Sequence, residues 1–260
     1  MNIRLKSIVL LLGLLFAPLL SGAVEAAEVH VMSSGGLTAA FKALAPRFEA
    51  KTGHKVDLVL GPSMGTSPEA IPVRLDRGEP ADLLLMVGYA LADLVKAGKV
   101  APDTVDLAQS RIGLAVRADA PVPDIKTLDA FKRTLLAAPS IAYSDSASGV
   151  YIEREMYRKL GLHAELAPKS RMIVAERVGD VVARGEAAVG FQQMSELLPV
   201  KGITVVGPIP EEAQSVTVFS AGIPKASREP DAARALLAFL SSPEAAAVIR
   251  ESGMDPMQGR

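Results

Sequence analysis

The sequence predicts an α/β fold in two lobes, each a mostly parallel sheet flanked by helices, joined by a two-strand hinge. Three observations predict it. Short strand-like runs alternate with helix-spaced segments along the chain. "ADLLLMVG" is a continuous apolar run, as expected of a strand buried on both faces. Two stretches, "SRIGLAVR" at 110–117 and "SVTVFSAG" at 215–222, read as crossings between lobes. The expected first lobe is then discontinuous, residues 27–110 with 220–260, and the second is 111–219.

The N-terminus comes first. Arg4 and Lys6 precede the apolar stretch "IVLLLGLLFAPLL" and the small residues of "SGAVEA", the three-part pattern of a secretory signal over residues 1–26. Pro18 interrupts the apolar run, which is short for a membrane span. A periplasmic, exported product is expected.

The mature elements follow in order. "EVHVMSS" is strand-like, and "LTAAFKALAPRFEAKTG" has helical spacing ending at Gly53. "KVDLVLG" is the next strand, and "PSMGTSPEAIPVRLDRG" follows it with Pro68 at an expected first helical position. "ALADLVKAGKV" is helical, and "RIGLAVRAD" opens the second lobe. "LDAFKRTLLAAP", "SIAYSDS" and a helix over Val150 to Leu160 come next, then the short strands "AAVGFQQ" and "ITVVGPIP". "SVTVFSAGIPK" returns to the first lobe, and "DAARALLAFLSSPEAAAVIRESG" closes it as helix.

Composition excludes several functions. The chain has no cysteine, so neither disulfides nor thiol chemistry enters. About 234 mature residues suffice for two cores. Net charge is −1, and near −2 once Arg4, Lys6 and Glu25 are removed, without the basic excess of a nucleic-acid binder. There is no tryptophan for a stacking platform. His30, His54 and His163 show no metal-ligand spacing, and neither G-x-S-x-G nor a phosphate-binding P-loop occurs. No metal and no cofactor are expected.

Three strand-to-helix junctions carry related chemistry. The first offers Ser33, Ser34, Gly35 and Gly36; the second Ser63, Met64, Gly65, Thr66 and Ser67; the third Ser146, Ala147, Ser148 and Gly149. Each places backbone N–H groups and hydroxyls where a helix begins, an environment that favours anions. Serines also cap helices, but three such junctions facing one presumed cleft point to a shared anion site. Glycine there is expected to let a ligand approach closely. Asp145 is expected to point away and support its loop. Gln192 and Gln193 follow a short strand and can donate without adding charge. Arg74, Arg171 and Arg177 lie nearest the junctions and could neutralise a multiply charged ligand.

With these junctions and two crossings, the chain resembles the class II periplasmic binding proteins, and among them the molybdate-binding proteins. The guides are "GEPADLLLMVG", "SGVYIEREMYRKLG" and "RGEAAVGF", in that order over nearly the whole mature chain. The resemblance implies a small anionic ligand and, for a transport receptor, a membrane permease as partner; a monomer is expected. Three positions depart from the molybdate pattern. Gly36 stands where a serine is usual, the second junction is several residues longer, and Gln193 replaces a tyrosine. The junction at Ser148 and Gly149 matches. A roomier pocket lined by amides suits a larger carboxylate.

A second branch of the fold, the aconitate isomerases, resembles the chain in length, signal and lack of cysteine. It implies a double-bond shift in a tricarboxylate, taking a proton from one carbon and returning one to another. That chemistry needs an anion cradle and an acid/base within hydrogen-bond reach. Glu69, Tyr143, Tyr151 and Asp145 are candidates for the acid/base, Tyr151 and Glu69 first among them, with Ser33 or Ser34 as a relay. Isomerase and receptor for molybdate or another small anion both stay open at this point, as does an anion sensor docking on a receptor.

Overall fold

The computed structural model describes residues 26–174 and 176–257. The signal read at residues 1–26 therefore lies, apart from Ala26, outside the described residues. The chain first builds β1 (Glu28–Ser33), α1 (Gly35–Thr52), β2 (Lys55–Leu60), α2 (Ile71–Asp76), β3 (Leu83–Val87), α3 (Gly88–Lys96) and β4 (Val105–Ser110). It then makes β5 (Ile112–Arg117), α4 (Leu128–Ala137), β6 (Ile141–Ser144) and α5 (Ala147–Tyr151), which runs through a π-helical turn at Ile152–Met156 into α6 (Tyr157–Lys159). Next come α7 (His163–Leu166), β7 (Ser170–Ile173), α8 (Val178–Ala183), β8 (Val189–Gln193), α9 (Met194–Leu197) and β9 (Ile203–Pro208). The return is β10 (Thr217–Gly222), α10 (Pro230–Leu240), α11 (Pro243–Glu251) and β11 (Asp255–Pro256).

Two sheets result. The first has six strands in the order β11-β4-β10-β3-β1-β2, and the second five in the order β7-β6-β8-β5-β9. In the first, β2, β1 and β3 are parallel and β10 runs against both β3 and β4. In the second, β7, β6 and β8 are parallel and β5 runs against both β8 and β9. The reversed strand in the middle of each sheet is the one by which the chain arrives from the other. β4 passes through Arg111 into β5, and β10 enters the first sheet at Thr217, opposite Ser110.

Gln214 ties the two crossings. Its Oε1 accepts from the Ile112 N–H at 2.8 Å, and its Nε2 donates to the carbonyls of Ile112 and Ile209 at 3.1 and 3.2 Å. One side chain thus joins the backbone at Ile112 to that at Ile209, on the two chain segments that pass between the sheets.

Sequence pattern explains the cores. In α1 the buried positions Leu37, Ala40, Phe41, Leu44 and Phe48 recur at helical spacing and pack on the first sheet. All five residues of β3 are buried, as its unbroken apolar run requires. A second core gathers Phe131, Ile152, Met156, Tyr157 and Phe191, with Phe131 and Phe191 edge to face. Asp82, 1% exposed, accepts from the N–H groups of His30, Arg228 and Glu229 and from Ser227 Oγ, pinning the loop before α10 to the first sheet.

Two helix starts differ from expectation. Residues 61–70 form a loop, and α2 begins at Ile71 with Pro72, not Pro68, in its first turn. A proline's fixed φ suits a turn as well as a helix start. The helix expected from Val150 begins at Ala147, with Ser146 at its N-cap. Strands β4, β7 and β11 have no counterpart in the sequence reading; all three are short or polar.

Candidate functional site

A cleft of about 350 Å³ opens between the carboxyl ends of β1, β3, β6 and β8, where ligands sit in open α/β sheets. The first sheet contributes Ser34, Gly35, Gly36, Ser63, Met64, Ser67 and Glu69. The second contributes Ser144, Asp145, Ser146, Ala147, Glu176, Arg177, Gln192, Gln193 and Glu196.

Residues from all three junctions therefore meet. At the first, Ser34 is the N-cap of α1, buried, and its Oγ has no hydrogen-bond partner. That hydroxyl stands beside the first N–H groups of an 18-residue helix, an environment that favours negative charge. Ser33 is fully buried, donates to the Ser34 carbonyl at 3.1 Å and does not line the cleft.

At the second junction, Ser63 Oγ accepts from the Val87 N–H at 2.9 Å, fixing the loop to the end of β3. Gly65 and Thr66 are exposed and stay outside the cleft, where Ser67 takes their place.

At the third, Ser144 Oγ lies 2.7 Å from Ser146 Oγ and 3.2 Å from Ser148 Oγ. Ser144 and Ser146 line the cleft; Ser148 is 1% exposed and does not. Its hydroxyl supports the other two from beneath. Asp145 lines the cleft rather than pointing away.

The glycines answer to packing. A Cβ on Gly149 would overlap the Ser144 carbonyl, and one on Gly36 would overlap the Phe219 ring. The sequence reading reserved that space for ligand. At Gly35 the missing Cβ admits a charged group from the opposite sheet, the Glu196 carboxylate.

Of the arginines, only Arg177 reaches the cleft. Its Nε and one Nη donate to Asp180 at 2.8 and 3.1 Å. Arg74 donates to the Glu69 carbonyl and to Glu79, and Arg171 lies 3.7 Å from Glu186; neither lines the cleft. Salt bridges close to home outcompete a ligand that sequence proximity alone had assigned them.

The two favoured acid/base residues separate. Tyr151 donates its hydroxyl to the carbonyls of Ala213 and Gln214 at the second crossing and does not line the cleft; burial raises its pKa, and the Glu155 charge adds to this. Glu69 lines the rim with an exposed side chain. Tyr143 lies in the second core.

Glu196 was missed. It sits on α9, one turn beyond Gln192, and Gln192 Nε2 donates to its Oε1 at 3.1 Å. Gln192 Oε1 is held in turn by the Val178 N–H at 2.9 Å. Burial pushes the Glu196 carboxyl up to about 7, and the nearby Asp145 charge adds to this. Hydrogen bonds from Gln192 and the Gln193 N–H, and the charge of Arg177, oppose it. The available signal was its place: a carboxylate one turn past the end of a buried strand, in "VGFQQMSELL". Gln193 Nε2 donates to Thr217 Oγ1 at 3.0 Å, while its Oε1 is buried without a partner.

Among the described residues four carboxylates and one arginine line the cleft. An anion placed there would be met by neutral donors more than by countercharge, and it would raise the affinity of nearby carboxylates for protons. Among the described residues no cluster of histidine, aspartate and glutamate could hold a metal ion.

Comparison with known proteins agrees with this architecture. A family model described as bacterial extracellular solute-binding protein matches residues 29–255. The chain is 51% identical to an aconitate isomerase of Pseudomonas sp. over 98% of its own length and 97% of that protein's. It is 29% identical to the molybdate-binding protein of Azotobacter vinelandii, covering 97% and 98% of the two chains. The solved periplasmic molybdate-binding protein of the same organism superposes with a TM-score of 0.71 at 21% identity, over 87% of this chain and 98% of that one.

Proposed function

Because the chain belongs to the bacterial extracellular solute-binding protein family, we propose that it is an exported, periplasmic isomerase interconverting cis- and trans-aconitate within its cleft. The observation that carries this is the 51% identity to an aconitate isomerase, spread over nearly the whole chain. The cleft's chemistry agrees. Shifting the double bond requires breaking a C–H bond at the methylene carbon. The electron pair spreads over the allylic carbons and the flanking carboxylates, and a proton is added at the former vinylic carbon. Developing charge of this kind is best met by fixed donors. Ser34 Oγ, the first N–H groups of α1 and the hydroxyls of Ser144 and Ser146 are such donors around one volume.

A receptor for molybdate or another small anion, delivering to a permease, is the second reading, favoured by the 29% identical relative. Its lower identity gives it less weight than the 51% identical isomerase.

Proton NMR of the mature protein with cis-aconitate tests the reading. The trans isomer should appear at a rate proportional to protein concentration. No turnover, with molybdate giving a large upward shift of the melting temperature, would make the chain a transport receptor instead.

A further inference from the structure

We propose that Glu196 is the catalytic acid/base of this cleft, because its carboxylate reaches from the second sheet to Gly35 at the head of α1 while Gln192 fixes its orientation. The inference rests on the isomerase reading and names the group that moves the proton.

Position separates Glu196 from the other carboxylates in the cleft. Glu69 is exposed on the rim. Glu176 is exposed at the mouth and ion-paired with Arg184 at 2.5 Å. Asp145 lines the second sheet's side only. Glu196 spans the cleft, so a ligand resting on Ser34 and the N–H groups of α1 lies against its carboxylate.

Orientation follows from a relay of fixed groups. The Val178 N–H holds Gln192 Oε1, which turns the amide N–H₂ toward Glu196 Oε1. A general base must be held within hydrogen-bond reach of the proton it takes, and this arrangement holds it. Gln192 is a positioning residue in this scheme.

The proton balance closes without a co-reactant. The Glu196 carboxylate takes one methylene proton, and the C–H pair delocalises over the allylic system. The resulting carboxylic acid returns a proton to the opposite terminal carbon, restoring the carboxylate and the double bond one position along. A group poised to ionise near neutrality serves both halves. Asp145, Glu176 and Arg177 face it from neighbouring elements, and α1 presents no charged residue in its first turn.

The experiment compares wild type, E196Q and E196D in the full mature chain. Turnover of cis-aconitate is followed by proton NMR, and binding is measured by calorimetry with tricarballylate, the saturated tricarboxylate that cannot isomerise. E196Q should lose about 10²- to 10⁴-fold in kcat and bind tricarballylate within a few-fold of wild type. It should also stop methylene-proton exchange with deuterated water. E196D, which keeps the charge but withdraws it, should fall at least tenfold in kcat with unchanged tricarballylate affinity. The wild-type kcat/KM should rise with pH through an inflection near neutrality that E196D displaces.

Wild-type turnover in E196D, or more than a tenth of it in E196Q, overturns the assignment and leaves the isomerase reading standing. Proportional loss of binding and turnover makes Glu196 a ligand contact and overturns it too. A wild-type chain that binds tricarballylate but moves no double bond removes the isomerase reading, and this assignment goes with it.

Discussion

The hydroxyl of Ser34 is buried and unpaired, so it contributes little to the fold and much to whatever fills the cleft. Ser34→Ala should therefore weaken tricarballylate binding about tenfold, the worth of one charge-assisted hydrogen bond, and leave the urea midpoint unchanged; calorimetry and denaturation check both. Gly149 has the opposite character. A methyl there collides with the Ser144 carbonyl, which is backbone and cannot step aside. Gly149→Ala should cost about 1–3 kcal/mol of stability, read by urea denaturation, and should weaken binding by displacing Ser144 and Ser146. Both residues stood out in the sequence as small groups at a helix mouth. Their roles differ because one borders a void and the other borders a chain.

Among the elements, those with a single strong pattern were legible: β3 from its unbroken apolar run and α1 from its periodic apolar face. Strand β4 was not, since Asp106, Gln109 and Ser110 break the alternation. Its polar groups find no partners nearby: Ser220 Oγ, far along the chain, donates to Asp106 at 2.6 Å, and Ser110 Oγ is buried without a partner. Both crossings were visible as apolar strands. What ties them was not, because Gln214 binds Ile112, 102 residues away. Gln214→Ala should leave the Ile112 N–H without its partner and cost about 1–3 kcal/mol. Urea denaturation checks this. A variant as stable as wild type would show that water replaces the amide.

For the molecule as a whole, Glu196 gives stability a pH dependence. Its folded pKa is raised, so the folded chain holds a proton that the unfolded chain has lost between 4.5 and about 7. The contribution is fully present below 4.5 and is lost as pH rises to about 7, then stays level. Wild type measured against E196Q should show this fall, and Asp145, Glu176 and Arg177 as neighbours set its midpoint. Parallel denaturation series at pH 4.5, 6 and 8 would reveal it, and a constant difference between the two proteins would contradict it.

By itself the sequence determined the α/β class, the two crossings and the three junctions that converge on the cleft, because periodicity, glycine and hydroxyl clusters are local properties of the chain. It also carried the resemblance to binding proteins and to aconitate isomerases. Tertiary structure decided which side chains face the cleft. Tyr151 turned to the carbonyls of Ala213 and Gln214, Arg74 and Arg171 turned to nearby carboxylates, and Glu196 came across from the other sheet to lie over Gly35. Each outcome depends on partners far away in sequence or on competition between neighbours for one charge, and neither is written in the spacing of residues along a strand or helix.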